Sequence, residues 1–122
     1  MSGAASLRAV TTLRKRHDFL LAARALHVSK PGFVLQMRRH AAENASGMRV
    51  GFTCSKKVGN AVQRNRAKRR LREIARAVLP HKGLADTDYV LIGRRDKTAS
   101  LPFDRLKADL ESAIDNLHGR LK

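Results

Sequence analysis

Phe52-Thr53-Cys54-Ser55-Lys56-Lys57-Val58-Gly59-Asn60-Ala61-Val62-Gln63-Arg64-Asn65-Arg66-Ala67-Lys68-Arg69-Arg70-Leu71-Arg72-Glu73 is the stretch on which the reading of this chain turns. Between Lys56 and Arg72 it holds eight cations and no acid. Such a run repels itself, so something other than its own charges must order it. Ala67, Leu71, Ile74, Ala75 and Val78 recur at the i, i+3/i+4, i+7 spacing of one helix face. Asn65, Lys68, Arg69, Arg72 and Arg76 then fall on the other side. Anchoring the apolar face presents the other as a stiff row of cations, a geometry that suits a polyanionic backbone. Asn60 is a good N-cap and Gln63 completes a capping box. Pro80 is expected to mark the end of the helix.

Working outward, Met48, Val50, Phe52 and Cys54 alternate, as do Phe33, Leu35 and Met37 against Val34, Gln36 and Arg38. These two runs read as half-buried strands of a hairpin, separated by the polar loop from Glu43 to Gly47. Pro31-Gly32 is a turn signal. A short helix is expected over Arg16 to Ala25, with Phe19, Leu20, Ala22, Ala23 and Leu26 as its apolar members. Tyr89 to Gly93 reads as a buried strand. The last helix opens near Pro102 and carries Phe103, Leu106, Leu110, Ala113, Ile114 and Leu117 on one face. The order helix, strand, strand, helix, strand, helix describes a layered α/β domain.

The whole chain agrees with a polyanion as partner. With 122 residues and 43% hydrophobic content it is expected to form one domain, with residues 13–118 as the core and 1–12 as a flexible basic tail. The formal net charge is +16 and the pI about 11.5, which favours nucleic acid or an anionic membrane. Phe19 to Ala23 and Tyr89 to Gly93 are far too short to span a membrane. The first 17 residues contain Ser, Thr and Arg and no acid; they read as a loosely ordered basic tail and not as a transit peptide, because no amphipathic helix is clear before Leu13. Cys54 is the only cysteine, which excludes an internal disulfide and suits a reducing, cytoplasmic setting.

The Phe52–Glu73 block resembles the signature of the bacterial ribonuclease P protein subunit, whose basic helix is named for its Arg-Asn-Arg. Outer pieces match in order: Leu13-Arg14-Lys15 with Asp18-Phe19, Phe33-Val34-Leu35, Tyr89-Val90-Leu91-Ile92, and Phe103 with Leu106. The resemblance implies an α/β (α+β) two-layer sandwich, ordered α-β-β-β-α-β-α, with about four strands and three helices. The fourth, short strand falls near His27 to Ser29. It also implies a left-handed crossover through the basic helix, where general rules favour a right-handed one. The implied partners are a catalytic RNA, which carries out hydrolysis with bound Mg²⁺, and precursor tRNA, from which the 5′ leader is removed.

Carried over residue by residue, the RNA-binding set is Lys56, Lys57, Asn60, Arg64, Asn65, Arg66, Lys68, Arg69 and Arg72. Asn65 can meet a phosphate, a base edge or a metal-bound water. Arg70, nearer the apolar flank, is the one to discard. The leader cleft is expected at Phe19, Val34 and Gln36. Ala23 and Gln36 stand where the family often has aromatics, so fewer stacking partners are available.

No protein-borne nuclease centre is expected. The acids are sparse, and most of those after residue 100 line the polar side of the last helix. His17, His27, His40, His81 and His118 are scattered without metal-ligand spacing, and each reads as a surface or core residue. A ribosomal or ribosome-assembly protein would share the charge and size without the signature block. A DNA-binding helix-turn-helix needs a packed helix just upstream, whereas Met48 to Cys54 reads as a strand, so DNA is not expected as a partner.

Overall fold

The computed structural model describes residues 9–40 and 47–121. Its elements in chain order are β1 (Val10–Thr12), α1 (Arg16–Ala23), β2 (Leu26–Lys30), β3 (Phe33–Arg39), β4 (Met48–Thr53), a 3₁₀ turn (Lys56–Val58), α2 (Ala61–Lys82), β5 (Thr87–Gly93), α3 (Lys97–Ser100) and α4 (Phe103–Gly119). The five strands form one sheet in the order β1-β4-β5-β3-β2. β2, β3 and β5 pair antiparallel, while β4 runs parallel to both β5 and β1.

The alternation in β3 and β4 sorts residues between two layers. Phe33, Leu35, Met37, Met48 and Val50 join Tyr89 and Leu91 of β5 against α2 and α4. On the opposite face Val90 and Ile92 meet Leu13, Phe19 and Ala22, so α1 covers part of that side. Leu71, Ile74, Ala75, Val78 and Leu79 of α2 and Leu106, Leu110, Ala113, Ile114 and Leu117 of α4 complete the larger core. Tyr89 ties that core to α4: its hydroxyl accepts from the Leu84 amide at 2.9 Å and shares a hydrogen bond with His118 Nε2 at 2.9 Å.

Several expectations need correction. β3 and β4 do not form a hairpin, because β5 lies between them and pairs with both. β5 is buried from Thr87 to Leu91, and a strand covered on both faces needs a neighbour on each side to pair its backbone. The hairpin of the fold is instead β2–β3, closed by Pro31-Gly32. Helix α1 stops at Ala23; Leu26 belongs to β2, and Leu20 is 48% exposed. Pro80 lies inside α2, which continues to Lys82. The missing Pro80 N–H removes one backbone bond, and the buried Val78 and Leu79 hold the last turn in place. Among the described residues four helices and five strands stand where three and about four are expected. β1 falls within the stretch read as a flexible tail; residues 1–8 of that tail, and the Glu43-to-Gly47 loop apart from Gly47, lie outside the described residues.

At the Val10 end of the sheet, on the α1 face, Asp88 is fully buried. Arg49 donates to it through Nε at 2.7 Å and through a terminal nitrogen at 2.8 Å, and also reaches Asp18 of α1 at 3.3 Å. These carboxylates raise the Arg49 pKa above its ordinary value, chiefly through the Asp88 hydrogen bonds. Arg38 and His40 approach Asp88 at 3.9 and 3.5 Å.

Candidate nucleic-acid interface

The basic helix is started by local chemistry. Ser55 Oγ accepts from the Lys57 amide at 3.2 Å, which opens the 3₁₀ turn, and Val58 is buried beneath it. Gly59 has φ 146°, a backbone setting that favours glycine. The Asn60 amide then donates to Gln63 Oε1 at 2.8 Å, and the Gln63 amide donates to Asn60 Oδ1 at 2.9 Å. The expected capping box is therefore present. It satisfies two of the backbone donors a helix start leaves open.

From this start α2 displays its cations in two rows. Arg64, Lys68, Arg72 and Arg76 follow one another at i+4, on the side that faces β4. The Arg72 guanidinium stands 5.8 Å from the centroid of the Phe52 ring, within cation–π range. Arg64, Lys68 and Arg72 also surround Cys54. Burial pushes its thiol pKa up, against the opposing pull of those cations. The second row, Asn65, Arg66 and Arg69, is exposed and adjoins Val62, itself 76% exposed. Lys56 and Lys57 are exposed just ahead of the helix.

Among the described residues, ion pairs involve Arg38, His40, Arg49, Lys82 and Arg105, and none of the cations in these two rows. Arg64 alone is tied back, donating to the Gly59 carbonyl at 3.3 Å. Asn60 has its side-chain oxygen committed to the cap. Arg70, discarded on the helical wheel, donates to the Ala99 carbonyl at 2.9 Å and to the Leu101 carbonyl, and so fastens the turn before α4 to α2. Arg76 and Phe52 were absent from the sequence-derived set. Their signals were the i+4 step from Arg72 and the alternation of β4.

Phe19, Val34 and Gln36 lie on the same face of the sheet, and all three are half-buried. The Phe19 ring rests on Gly51, so close that a β-carbon there would sit 2.5 Å from it. Val34 pairs across to Ile92, and Gln36 to Val90. Phe19 is thus partly a core residue of the α1 layer and partly open. Ala23 is exposed.

The family model described as Ribonuclease P matches residues 7–118. The chain is 60% identical over 109 residues to the ribonuclease P protein component of Ruegeria pomeroyi, covering 89% of this chain and 87% of that one. It is 49% identical over 105 residues to the component from Caulobacter vibrioides, covering 86% and 69%. Among solved structures, the Staphylococcus aureus RNase P protein superposes with a TM-score of 0.69 at 27% identity, covering 87% of this chain and 94% of that one. The Thermotoga maritima RNase P protein gives 0.64 at 28% identity, covering 91% and 97%.

Proposed function

The chain belongs to the ribonuclease P protein family, and from that premise we propose that its α2 cations grip the catalytic RNA while the Phe19 side of the sheet receives the 5′ leader of precursor tRNA. It is the RNA-binding protein component of an endoribonuclease of tRNA processing. The observation that carries the proposal is the row of cations on one stiff helix, free of ion pairs among the described residues, whose opposite face is locked into the core. Side chains already ordered on a helix lose less freedom when they meet phosphates. Lys56, Lys57, Arg64, Arg66, Lys68, Arg69 and Arg72 supply charge, and the planar forks of the arginines suit phosphate oxygens. Asn65 adds a neutral donor and acceptor between two arginines. Asn60 acts first by fixing where the helix starts.

The protein's donor set does not fit a resident Mg²⁺. Among the described residues no group of three or more His, Cys, Asp or Glu is placed to hold a metal ion, and Asn65 is flanked by cations. In this proposal Mg²⁺ is held mainly by the RNA partner. The protein's part is to offset phosphate repulsion and to hold the substrate. No described helix is long and apolar enough to cross a membrane; a cytoplasmic site of action is part of the proposal.

Reconstitution tests it. Added to a bacterial ribonuclease P RNA, the protein is expected to lower the Mg²⁺ concentration needed to cleave precursor tRNA, because bound cations replace diffuse counterions. Rigorously RNA-free protein is expected to leave the substrate intact. Cleavage by the protein alone, or no effect on the Mg²⁺ requirement, would sink the reading. For the leader, Phe19→Ala is expected to weaken precursor tRNA binding by roughly 1–3 kcal/mol, the value of one stacked base. Mature tRNA binding should hardly change.

A further inference from the structure

A groove of about 470 Å³ opens at the edge of the sheet beside β4. β1 ends at Thr12, opposite Val50, so Gly51 to Thr53 have no neighbouring strand on that side. Side chains from both layers turn into the gap. Leu13 and Phe19 come from the α1 side, and Phe52, Arg72, Arg76 and Pro80 from the α2 side. Arg72 is held over the Phe52 ring, and Arg76 follows one helical turn later. Among the described residues neither arginine has a carboxylate partner. An aromatic and aliphatic floor beside two unneutralised guanidiniums matches an unstacked nucleotide, whose base needs a ring face and whose phosphate needs planar donors. An added peptide strand would use the open β4 backbone and leave both cations without a role.

The geometry points to a binding site here for one unpaired RNA nucleotide, its base against Phe52 and its phosphate between Arg72 and Arg76. The inference rests on the RNA-binding role proposed above. The site is separate from the Val34 and Gln36 surface, which lies on the α1 face of the sheet. It is also separate from the Asn65, Arg66 and Arg69 row, which faces solvent. Phe19 borders both the groove and the leader cleft, so the test avoids it. The nucleotide comes either from the catalytic RNA or from the precursor leader, and the chemistry is the same in both.

Three variants are compared with the parent protein: Arg76→Ala and Thr12→Glu, both at exposed positions on the groove wall, and Phe52→Leu. Affinity is measured for the catalytic RNA alone and, in the reconstituted holoenzyme, for precursor and mature tRNA, each over a range of salt. Melting temperatures of the free proteins are recorded alongside. Arg76→Ala and Thr12→Glu are expected to melt like the parent and to bind one of the RNAs about tenfold more weakly. For Arg76→Ala the slope of log affinity against log salt should also shrink by about 0.7–0.9, the loss of one phosphate contact. Phe52→Leu should weaken the same RNA by about fivefold or more, with the salt slope kept. A loss seen with the catalytic RNA identifies it as the source; a loss confined to the leader-bearing precursor identifies the leader. Unchanged affinity and slope in Arg76→Ala and Thr12→Glu, at parental melting temperature, would overturn the site. A parent protein that binds neither RNA would overturn the family-based role with it.

Discussion

Asp88 shows how a single side chain can matter without reaching the surface. It is fully buried and takes two hydrogen bonds from Arg49, with Arg38 and His40 close by. Removing one partner of a buried ion pair leaves the other uncompensated, which costs about 3–5 kcal/mol. Asp88→Asn is expected at the low end, roughly 3 kcal/mol, because the Arg49 side chain keeps 21% exposure. Urea unfolding measures it, and a loss below about 1 kcal/mol would show that the pair is not a structural necessity. His118 offers a second test. Its pKa is lowered, chiefly by burial, with the Asp115 charge pulling the other way. The unfolded chain then binds the proton more readily, so this contribution to stability is present above the ordinary histidine pKa of about 6.5 and is lost as pH falls below it. His118→Gln should flatten the stability profile on the acid side of that value, which thermal melts across pH would reveal.

At the scale of the element, α2 separates two roles by face. Leu71 is fully buried and Arg69 exposed two residues away. Leu71→Ala is expected to destabilise the domain by about 2–5 kcal/mol through its cavity. Arg69→Ala should stay within about 0.5 kcal/mol of the parent in stability and yet weaken assembly with the catalytic RNA. Equal melting losses in both variants would mean the helix is rotated from the orientation described. This helix was legible in the sequence because its period, its cap and its charge run all agree. The alternating faces of β3 were legible for the same reason. The neighbours of β3 and β4 were not: alternation shows which face of a strand is buried and says nothing about which strand lies beside it. α3 is four residues long and carries no periodic signal; the buried Thr98 holds it by donating to the Gly32 carbonyl. Among the site residues, the charges could be read from the block itself. The Arg72–Phe52 contact could not, since it joins elements whose relative placement depends on the sheet order.

For the whole molecule the surplus of charge dominates. With a formal net charge of +16, the folded chain repels itself, and salt that screens this repulsion is expected to stabilise the free protein. The melting temperature of the free protein should therefore rise between low and moderate salt, while affinity for RNA falls over the same range. A melting temperature that drops with added salt would mean that attractive pairs such as Arg49–Asp88 outweigh the repulsion. The insertion of β5 between β3 and β4 also sets an order of events during synthesis. Until residue 93 has been made, β3 has only β2 beside it and β4 only the three residues of β1, so neither half of the sheet can close. Contacts between segments this far apart in sequence form late and slowly. The cationic face of α2 thus leaves the ribosome before the strand that completes its support. A nascent chain in that interval exposes apolar surface next to unneutralised arginines, and an early encounter with RNA at that stage would act as a folding template as well as a binding event.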